Sequence, residues 1–273
     1  MSKAQVFILP DNISSQDRSF FYGDGCFTTI LSNNHKPLLL QAHLKRLQDA
    51  CLRLFIPVNN WDEIKSNIES AASQGGASAI IKVVISRGQG GRGYQVPDIT
   101  QPQVYIYSYA TSVREVEVIL GFAQTRLAEQ PLLAGIKHNN RLEQILAKNE
   151  LVGTSKGLDD LLMFNYSSHL IEATASNVFY QIDNQWYTPK LDKQGVEGVM
   201  RNYVLGCLQA AGISVAESIH YESELIAVQS MFLTNAVNIV QVVSQIVASN
   251  SVYSLNVEPC HKIRSLILKT LVE

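Results

Sequence analysis

The chain has 273 residues, 46% of them hydrophobic, and carries a formal net charge of −2. Its length suits two modest domains or one large domain, with enough apolar residues for a core that needs no disulfide support. The balanced and interleaved charges argue against a nucleic-acid or anionic-membrane surface. We therefore expect a globular protein whose partner is a small molecule.

The cysteines and the N-terminus bear on the cellular compartment. Cys26, Cys51, Cys207 and Cys260 are far apart in sequence and form no C-x-x-C pair, so neither a metal site nor a compact disulfide framework is predicted. The N-terminal apolar run is too short for a signal peptide, and no segment is long and apolar enough to span a bilayer. These features predict a cytoplasmic protein.

Residues 1–110 are predicted to form a smaller α/β domain. Apolar runs bounded by turn residues predict its strands, and apolar positions at helical spacing predict its helices. Gly23 and Gly25 permit a sharp turn before one of the strands. The strands are expected at residues 6–9, within 20–30, at 79–86 and at 104–109, and the helices at 41–54 and 60–73.

A G-x-G-x-x-G pattern occurs at residues 88–93, directly after a predicted strand. A dinucleotide site would need a helix that begins inside this motif and binds the pyrophosphate at its N-terminus. Residues 94–102 instead contain two prolines and no amphipathic period, so we interpret the segment as a flexible loop. Its Arg87, Arg92 and Tyr94 have two interpretations: contacts to substrate carboxylates, or a brace for the loop at a subunit contact.

Lys137 stands out in the second half of the chain, because it lies between an apolar run and a predicted amphipathic helix. The apolar positions Leu142, Ile145 and Leu146 mark the buried side of that helix, and we expect Lys137 to enter from this side. Burial would remove its hydration, lower its pKa and leave a neutral amine able to attack a carbonyl. The alternative is a solvated lysine near a helix start.

A linker at residues 111–113 is predicted to lead into a larger C-terminal domain, residues 114–273. Glu172 ends one of its apolar runs, either as a harmless edge residue or as a functional carboxylate. The glycines of residues 195–201 form either an anion cradle at a helix start or a plain turn. The strands are expected at 115–122, 160–164, 169–172, 177–182, 185–188, 231–236 and 237–247, and the helices after Lys137, after 198 and at 261–272.

Five segments together resemble the aminodeoxychorismate lyases, a family of fold-type IV pyridoxal-phosphate enzymes related to the branched-chain and D-amino-acid transaminases. Each motif is weak alone, but the combination is specific and spans nearly the whole chain. The segments are Tyr-Gly-Asp-Gly-Cys-Phe-Thr-Thr (22–29), His-Leu-Lys-Arg-Leu (43–47), Arg-Gly-Gln-Gly-Gly-Arg-Gly-Tyr (87–94), Ala-Gly-Ile-Lys-His-Asn-Asn-Arg-Leu-Glu (134–143) and Glu-Ala-Thr-Ala-Ser-Asn (172–177).

The resemblance implies a site for pyridoxal 5'-phosphate. Lys137 would hold the cofactor aldehyde and move the substrate proton, and Glu172 would keep the pyridine nitrogen protonated. Arg46, which by itself is an ordinary helix charge, would anchor the phosphate with its forked guanidinium. The amides of Val199 and Met200 would complete the phosphate site.

One phosphate contact is left open by the resemblance. Transaminase relatives place a threonine where Ala236 falls, and Thr234 or Asn235 is expected to replace it. Thr28 stands where those relatives tend to carry a glutamate, and this departure favours the lyase.

The resemblance also implies the substrate contacts and the proton donors. Protonation of the departing enolpyruvyl group needs a donor, and Thr28, Thr29 and the Lys137 ammonium all remain candidates. The expected substrate-binding residues are Tyr22, Arg87, Arg92 and Tyr94.

The implied architecture is an α/β (α+β) fold of two domains that works as a homodimer. The implied reaction converts 4-amino-4-deoxychorismate to 4-aminobenzoate and pyruvate, a step of folate biosynthesis. A D-amino-acid or branched-chain transaminase with the same residues is the alternative. A small-molecule binding protein with a decayed site is disfavoured, since packing alone does not need Lys137, Glu172 and Arg46 together.

Overall fold

The structure, a computed structural model, describes residues 3–10, 12–111, 115–153, 157–248 and 251–272. The chain divides into two compact units. Unit 1 comprises Met1–Val113 and Ile136–Asn140, and unit 2 comprises Arg114–Gly135 and Arg141–Glu273. Of the predicted linker, residues 112 and 113 lie outside the described residues.

Unit 1 combines a mixed sheet with helices. Its described residues form the strands β1 (Gln5–Ile8), β2 (Gly25–Asn33), β3 (Lys36–Pro37), β4 (Ser78–Ser86) and β5 (Gln103–Ala110) and the helices α1 (Arg18–Tyr22), α2 (Leu40–Arg53) and α3 (Trp61–Gln74). The strand order is β1-β5-β4-β2-β3. β1 and β5 are parallel, and the other neighbours are antiparallel.

One face of this sheet packs against α2 and α3. Along β4 the alternate residues Ile81, Val83 and Ile85 are fully buried, as expected for a strand with one covered face. Leu47 of α2 and Ile64 of α3 lie in the same core. Burying each such side chain contributes about 1.5–3 kcal/mol, so the two helices are held firmly against the sheet.

The strand β2 has two different faces. Cys26, Thr28 and Ile30 are buried on the side of the core, whereas the intervening Phe27 and Thr29 are half-buried. Because successive side chains of a strand point to opposite faces, Phe27 and Thr29 share the face that α2 does not cover.

The lysine segment Ile136–Asn140 belongs to unit 1. Its backbone pairs with β2: the Phe27 amide donates to the Lys137 carbonyl at 2.9 Å, and the Asn139 amide donates to the Gly25 carbonyl at 3.0 Å. This finding corrects the sequence-based division, which placed Lys137 in the C-terminal domain. A few residues join the first sheet by backbone pairing, although the chain on either side of them belongs to unit 2.

Unit 2 is built on a larger mixed sheet. Its described residues form the strands β6 (Glu117–Leu127), β7 (Asp160–Asn165), β8 (Leu170–Ala173), β9 (Asn177–Ile182), β10 (Gln185–Pro189), β11 (Val215–Ser218), β12 (Ser230–Asn235), β13 (Ile239–Ala248) and β14 (Ser251–Ser254), the helices α4 (Leu142–Asn149), α5 (Val199–Ala210) and α6 (Glu258–Val272), and a 3-10 helix, Glu222–Ala227. The strand order is β11-β10-β9-β12-β13-β6-β7-β8, and β14 pairs with β13. The pairs β10–β11, β13–β6 and β6–β7 are parallel, and the others are antiparallel.

Helix α4 differs from the prediction in two ways. It begins at Leu142, so Lys137 precedes the helix and does not enter it. The apolar face predicted to be buried is open in the single chain, since Leu142, Ile145 and Leu146 are 66%, 61% and 51% exposed. Ala147 is buried instead. The prediction was wrong because periodicity locates an apolar face without showing whether the same chain covers it.

The remaining predicted strands and helices are confirmed, with small shifts of their ends, and both units have the expected α/β (α+β) character. The short elements α1, β3, β11, β14 and the 3-10 helix are absent from the sequence-based prediction. Within the part of the chain that the structure describes, no helix has the length and apolarity needed to cross a bilayer.

Candidate active site

Lys137 lies over an aromatic ring on the uncovered face of β2. Its Nζ atom is 4.7 Å from the centroid of the Phe27 ring, within the range of a cation–π contact. Lys82 of β4 approaches the same ring, with Nζ at 5.3 Å, and is paired in register with Thr29. We call this group of four residues, Phe27, Thr29, Lys82 and Lys137, the lysine face.

Lys82 is a member of the lysine face that the sequence analysis missed. It is a charged residue inside an apolar strand, between the fully buried Ile81 and Val83. Alternation along a strand places such a lysine on the face opposite the core, and this signal could have identified it. Two lysine side chains near one ring make this face suitable for an anionic substrate.

Thr28 points away from the lysine face. It is fully buried, and its Oγ1 lies 2.7 Å from Nδ1 of His43 on α2. Burial, together with the positive charge of Arg46, lowers the pKa of His43 to about 3, so the imidazole is neutral near neutral pH. Of the two predicted threonine proton donors, Thr29 therefore shares a strand face with Phe27, whereas Thr28 does not.

Arg46 is half-buried on α2, one helical turn after His43. Its charge also acts on Cys26, whose Sγ lies 3.9 Å from Sγ of Cys51. The pKa of Cys26 is raised, mainly by the hydrogen bond with Cys51 and by burial, and the nearby Arg46 opposes this shift. The charge of Arg46, the predicted phosphate anchor, thus acts on His43 of α2 and on Cys26 of β2.

The guanidinium of Arg87, a predicted substrate ligand, is bound by other groups of unit 1, which argues against a substrate contact. Its guanidinium pairs with Asp24 at two points, Nε to Oδ2 at 2.7 Å and Nη2 to Oδ1 at 3.0 Å. It also donates to the carbonyls of Leu54 and Phe55, and the residue is only 6% exposed. Burial raises the pKa of Asp24, but hydrogen bonds from Arg87 and Arg18 outweigh this effect and hold the pKa below its ordinary value.

The rest of the loop between β4 and β5 is organised by Arg18 and Tyr22. Arg18 donates hydrogen bonds to several loop carbonyls, and the Gly93 amide donates to the Tyr22 hydroxyl at 3.1 Å. Tyr94 packs edge-on against Tyr22, and both Tyr94 and Arg92 are exposed. Tyr22 therefore supports the loop, while Arg92 and Tyr94 remain open to a ligand.

In unit 2, Glu172 on β8 is a buried carboxylate, 3% exposed. Its Oε2 accepts a hydrogen bond from the Val196 amide at 2.8 Å, and its Oε1 accepts one from Nε2 of Gln144 at 3.3 Å. Burial lowers the pKa of Arg141, and the negative charge of Glu172 opposes that shift. Gly195, next to Val196, leaves no room for a side chain, since its Cβ would lie 2.8 Å from Leu191 and 2.9 Å from Ile171. A carboxylate held in this way suits a protonated ring nitrogen.

The start of α5 has the features of an anion site. Its N-cap residue Gly198 provides no side-chain cap, and the first turn contains no acidic residue. A Cβ at Gly198 would lie 2.0 Å from Oδ1 of Asn177, so any side chain there would clash. The first amides of an α-helix lack partners within the helix and lie at the positive end of its dipole. Those of Val199 and Met200 therefore suit a phosphate.

The side chain of Asn235, a predicted cofactor ligand, binds groups of the protein itself. Its Nδ2 donates to Oγ of Ser176 at 2.9 Å, and its Oδ1 accepts from the amides of Val237 and Asn238 at 2.9 and 2.8 Å. The side chain thus forms the turn between β12 and β13. The hydroxyl of Thr234 is bound within the same turn.

The family profile of the amino-transferase class IV proteins matches residues 25–246. The chain therefore belongs to the amino-transferase class IV family. One relative, an aminodeoxychorismate lyase of Vibrio harveyi, is 40% identical over 225 residues, which make up 81% of this chain and 82% of that protein.

Solved structures agree with this assignment. The 4-amino-4-deoxychorismate lyase from Pseudomonas aeruginosa is 31% identical, with a TM-score of 0.85 over 95% of this chain and 96% of that chain. The branched-chain amino acid aminotransferase of Escherichia coli is 17% identical, with a TM-score of 0.83 over 96% and 90%, and shows the same fold. The predicted fold-type IV architecture and the resemblance to the lyases are confirmed.

Proposed function

We propose that this chain is a pyridoxal-phosphate-dependent lyase that converts 4-amino-4-deoxychorismate to 4-aminobenzoate and pyruvate in folate biosynthesis. The observation that carries the proposal is the 40% identity to the Vibrio harveyi lyase along 81% of the chain. The reaction needs a lysine that binds the cofactor aldehyde and a carboxylate that keeps the ring nitrogen protonated. The lysine face of unit 1 provides Lys137 for the first role, and unit 2 provides the buried Glu172 for the second.

The residues fit pyridoxal phosphate. The uncapped start of α5, where a Cβ would clash, suits a dianionic phosphate on the amides of Val199 and Met200. Arg46 would add a two-pronged guanidinium contact. Glu172 would hold the ring nitrogen, and Lys137 would bind the aldehyde. When bound, the cofactor supplies an aldehyde for the substrate amine and a ring that accepts electrons.

Two residues of the lysine face, Lys137 and Thr29, carry out the proton transfers. The Lys137 amine takes the proton from the amine-bearing carbon of the substrate. A proton must then reach the methylene carbon of the departing enolpyruvyl group to complete pyruvate. We assign this delivery to the Thr29 hydroxyl, replenished by the Lys137 ammonium, because Thr29 shares its strand face with Phe27. Thr28 is unsuited, since it is buried against His43.

The two carboxylates of the substrate need positive partners. Lys82 approaches the Phe27 ring from the neighbouring strand, and Arg92 is exposed on the loop after β4. We propose these two as the carboxylate ligands. We propose Lys82 for this role in place of Arg87, because the Arg87 guanidinium already pairs with Asp24.

A transaminase of the same family would use the same lysine, so the lyase must be tested by its products. We expect release of pyruvate from 4-amino-4-deoxychorismate and no reaction of D-alanine or leucine with 2-oxoglutarate. Borohydride should fix pyridoxal phosphate on the peptide that contains Lys137. A protein that takes up no cofactor, or a cofactor trapped on another lysine, would contradict the proposal.

We also propose a homodimer. Leu142, Ile145 and Leu146 lie at helical spacing on α4 and are exposed in the single chain, and an exposed apolar stripe of this kind is typical of an interface. Covering it with a second copy would explain why the sequence carries an apolar face there. Sedimentation that shows a fully active monomer at assay concentration would refute the dimer.

The cysteines support a cytoplasmic location. Cys26, Cys51, Cys207 and Cys260 are free thiols. Free thiols persist where the compartment is reducing, so we assign the protein to the cytoplasm.

A further inference from the structure

Thr28 and His43 form a buried polar contact that none of the catalytic steps above uses. The Thr28 Oγ1 atom and the His43 Nδ1 atom are 2.7 Å apart, and both residues are shielded from solvent. Buried polar groups without partners are destabilising, so each of the two side chains needs the other. The contact therefore selects one position of β2 relative to α2.

Both residues lie next to groups of the proposed active site. His43 is one helical turn from Arg46 on α2, and Thr28 lies between Phe27 and Thr29 on β2. Side chains alternate along a strand, so a shift of Thr28 against α2 moves the two flanking residues with it. The Phe27 amide also donates to the Lys137 carbonyl, which passes such a shift on to the catalytic lysine.

Another contact between α2 and β2, that of Cys26 with Cys51, has little directionality. Cys26 and Cys51 meet as thiols, with their sulfur atoms 3.9 Å apart, and a thiol is a weak hydrogen-bonding group. The Thr28–His43 bond is shorter and joins two strong hydrogen-bonding groups, so it is the better candidate for setting the register of the strand against the helix.

We infer that His43 is a positioning residue, which through Thr28 fixes the lysine face relative to the phosphate anchor Arg46. This inference rests on the proposed function. The neutral state of the imidazole supports it: burial lowers the pKa of His43 to about 3, so its protonation state does not change in the pH range of the reaction.

The test compares variants of Thr28 that keep or remove the hydroxyl. Thr28→Val keeps the branched shape, and Thr28→Ser keeps the hydroxyl. Small misplacements of catalytic groups cost up to about a hundredfold in rate, and we expect Thr28→Val to lower kcat by roughly tenfold or more. KM and the trapping of pyridoxal phosphate on Lys137 should change much less, and Thr28→Ser should recover most of the rate. A valine variant with wild-type kcat, or a serine variant as slow as the valine variant, would overturn the inference.

The helix side provides a second comparison if Thr28→Val does not fold. His43→Asn keeps a hydrogen-bonding atom near the Nδ1 position, whereas His43→Leu does not, so the asparagine variant should be the faster one. The double variant Thr28→Val/His43→Leu should be no slower than the slower single variant, because both remove one contact. Equal rates for the asparagine and leucine variants, or losses that multiply in the double variant, contradict the inference.

The wild-type enzyme separates the two proposals. If it releases no pyruvate from 4-amino-4-deoxychorismate, the proposed function fails and the positioning role fails with it. If it is active and the Thr28 and His43 variants match it, only the positioning role is wrong.

Discussion

The Nζ atom of Lys137 lies 4.7 Å from the centre of the Phe27 ring, and the Phe27 amide donates a hydrogen bond to the Lys137 carbonyl at 2.9 Å. One residue of β2 thus contacts both the side chain and the backbone of the proposed catalytic lysine. Its neighbours Cys26 and Thr28 are buried toward the core, so the strand fixes the direction of the ring.

Replacing Phe27 by leucine should therefore slow the reaction. Without the ring the Lys137 side chain loses the surface that orients it, and we expect a loss of roughly 2- to 30-fold in pyruvate release at saturating substrate, equivalent to about 0.5–2 kcal/mol. Phe27→Tyr keeps a ring and should stay close to the wild-type rate. A leucine variant as fast as the tyrosine variant would show that the ring does not orient Lys137.

Arg46→Lys should weaken cofactor binding more than turnover at saturating cofactor. The loss of a charge-assisted two-pronged contact is about 1.5–3 kcal/mol, or tenfold and more in affinity. Titration with pyridoxal phosphate measures the effect. The matched control is Arg53→Lys at the exposed end of the same helix, for which we expect unchanged affinity. Equal affinities of the two variants would remove Arg46 from the phosphate site.

Asp24→Asn should destabilise the fold. It leaves Arg18 and Arg87 buried without their shared carboxylate, and breaking a buried ion pair costs about 3–5 kcal/mol. Urea unfolding measures the loss. Asp49→Asn is the control, because Asp49 pairs with Lys45 on the exposed surface of α2 and such pairs contribute at most about 1 kcal/mol. Similar unfolding free energies for the two variants would refute the structural role.

The same carboxylate predicts a dependence of stability on pH. The folded-state pKa of Asp24 is lower than its ordinary value of 3.8, so its ionised form stabilises the protein above that value. The contribution is lost as the pH falls through the folded-state pKa. Wild type and Asp24→Asn should therefore converge in unfolding free energy on acidification. A constant difference from neutral pH down to strongly acidic conditions would contradict the ion pair.

Lys82→Met should raise KM for 4-amino-4-deoxychorismate. A hydrogen bond to a charged group contributes about 1.5–3 kcal/mol, so we expect KM to rise by roughly tenfold or more, with a smaller change in kcat. Lys262→Met, at an exposed position of α6, should leave KM unchanged. Steady-state kinetics at several salt concentrations make the comparison, and a Lys82 variant with wild-type KM would exclude a substrate contact.

The sequence predicts most of the larger elements and the lysine segment, because apolar periodicity and glycine turns are local properties. It does not choose between Thr28 and Thr29. Both are small polar residues in the run Cys26-Phe-Thr-Thr-Ile30, and a strand pattern becomes informative only once the covered face is known. The packing of α2 on β2 supplies that information.

Two other predicted site residues, Arg87 and Asn235, have side chains that bind within the protein, and the sequence alone does not show these partners. Arg87 has the residue type and loop position of a substrate ligand, yet its guanidinium forms an ion pair with Asp24, which lies 63 residues earlier in the chain. Asn235 similarly turns inward to Ser176 and to the amides of its own turn. Lys82 was missed although strand alternation places it opposite the core; its approach to the Phe27 ring on another strand is not visible in the sequence.

The central claim is tested most directly by counting the pyruvate that each chain releases from 4-amino-4-deoxychorismate, with pyridoxal phosphate present and no keto acid. A lyase regenerates its cofactor in every cycle, whereas a transaminase stops when its cofactor has taken up the amino group. We predict many pyruvate molecules per chain, an equal amount of 4-aminobenzoate, and none from Lys137→Ala. No pyruvate from the wild-type chain, together with turnover of D-alanine or leucine in the presence of 2-oxoglutarate, would contradict the account.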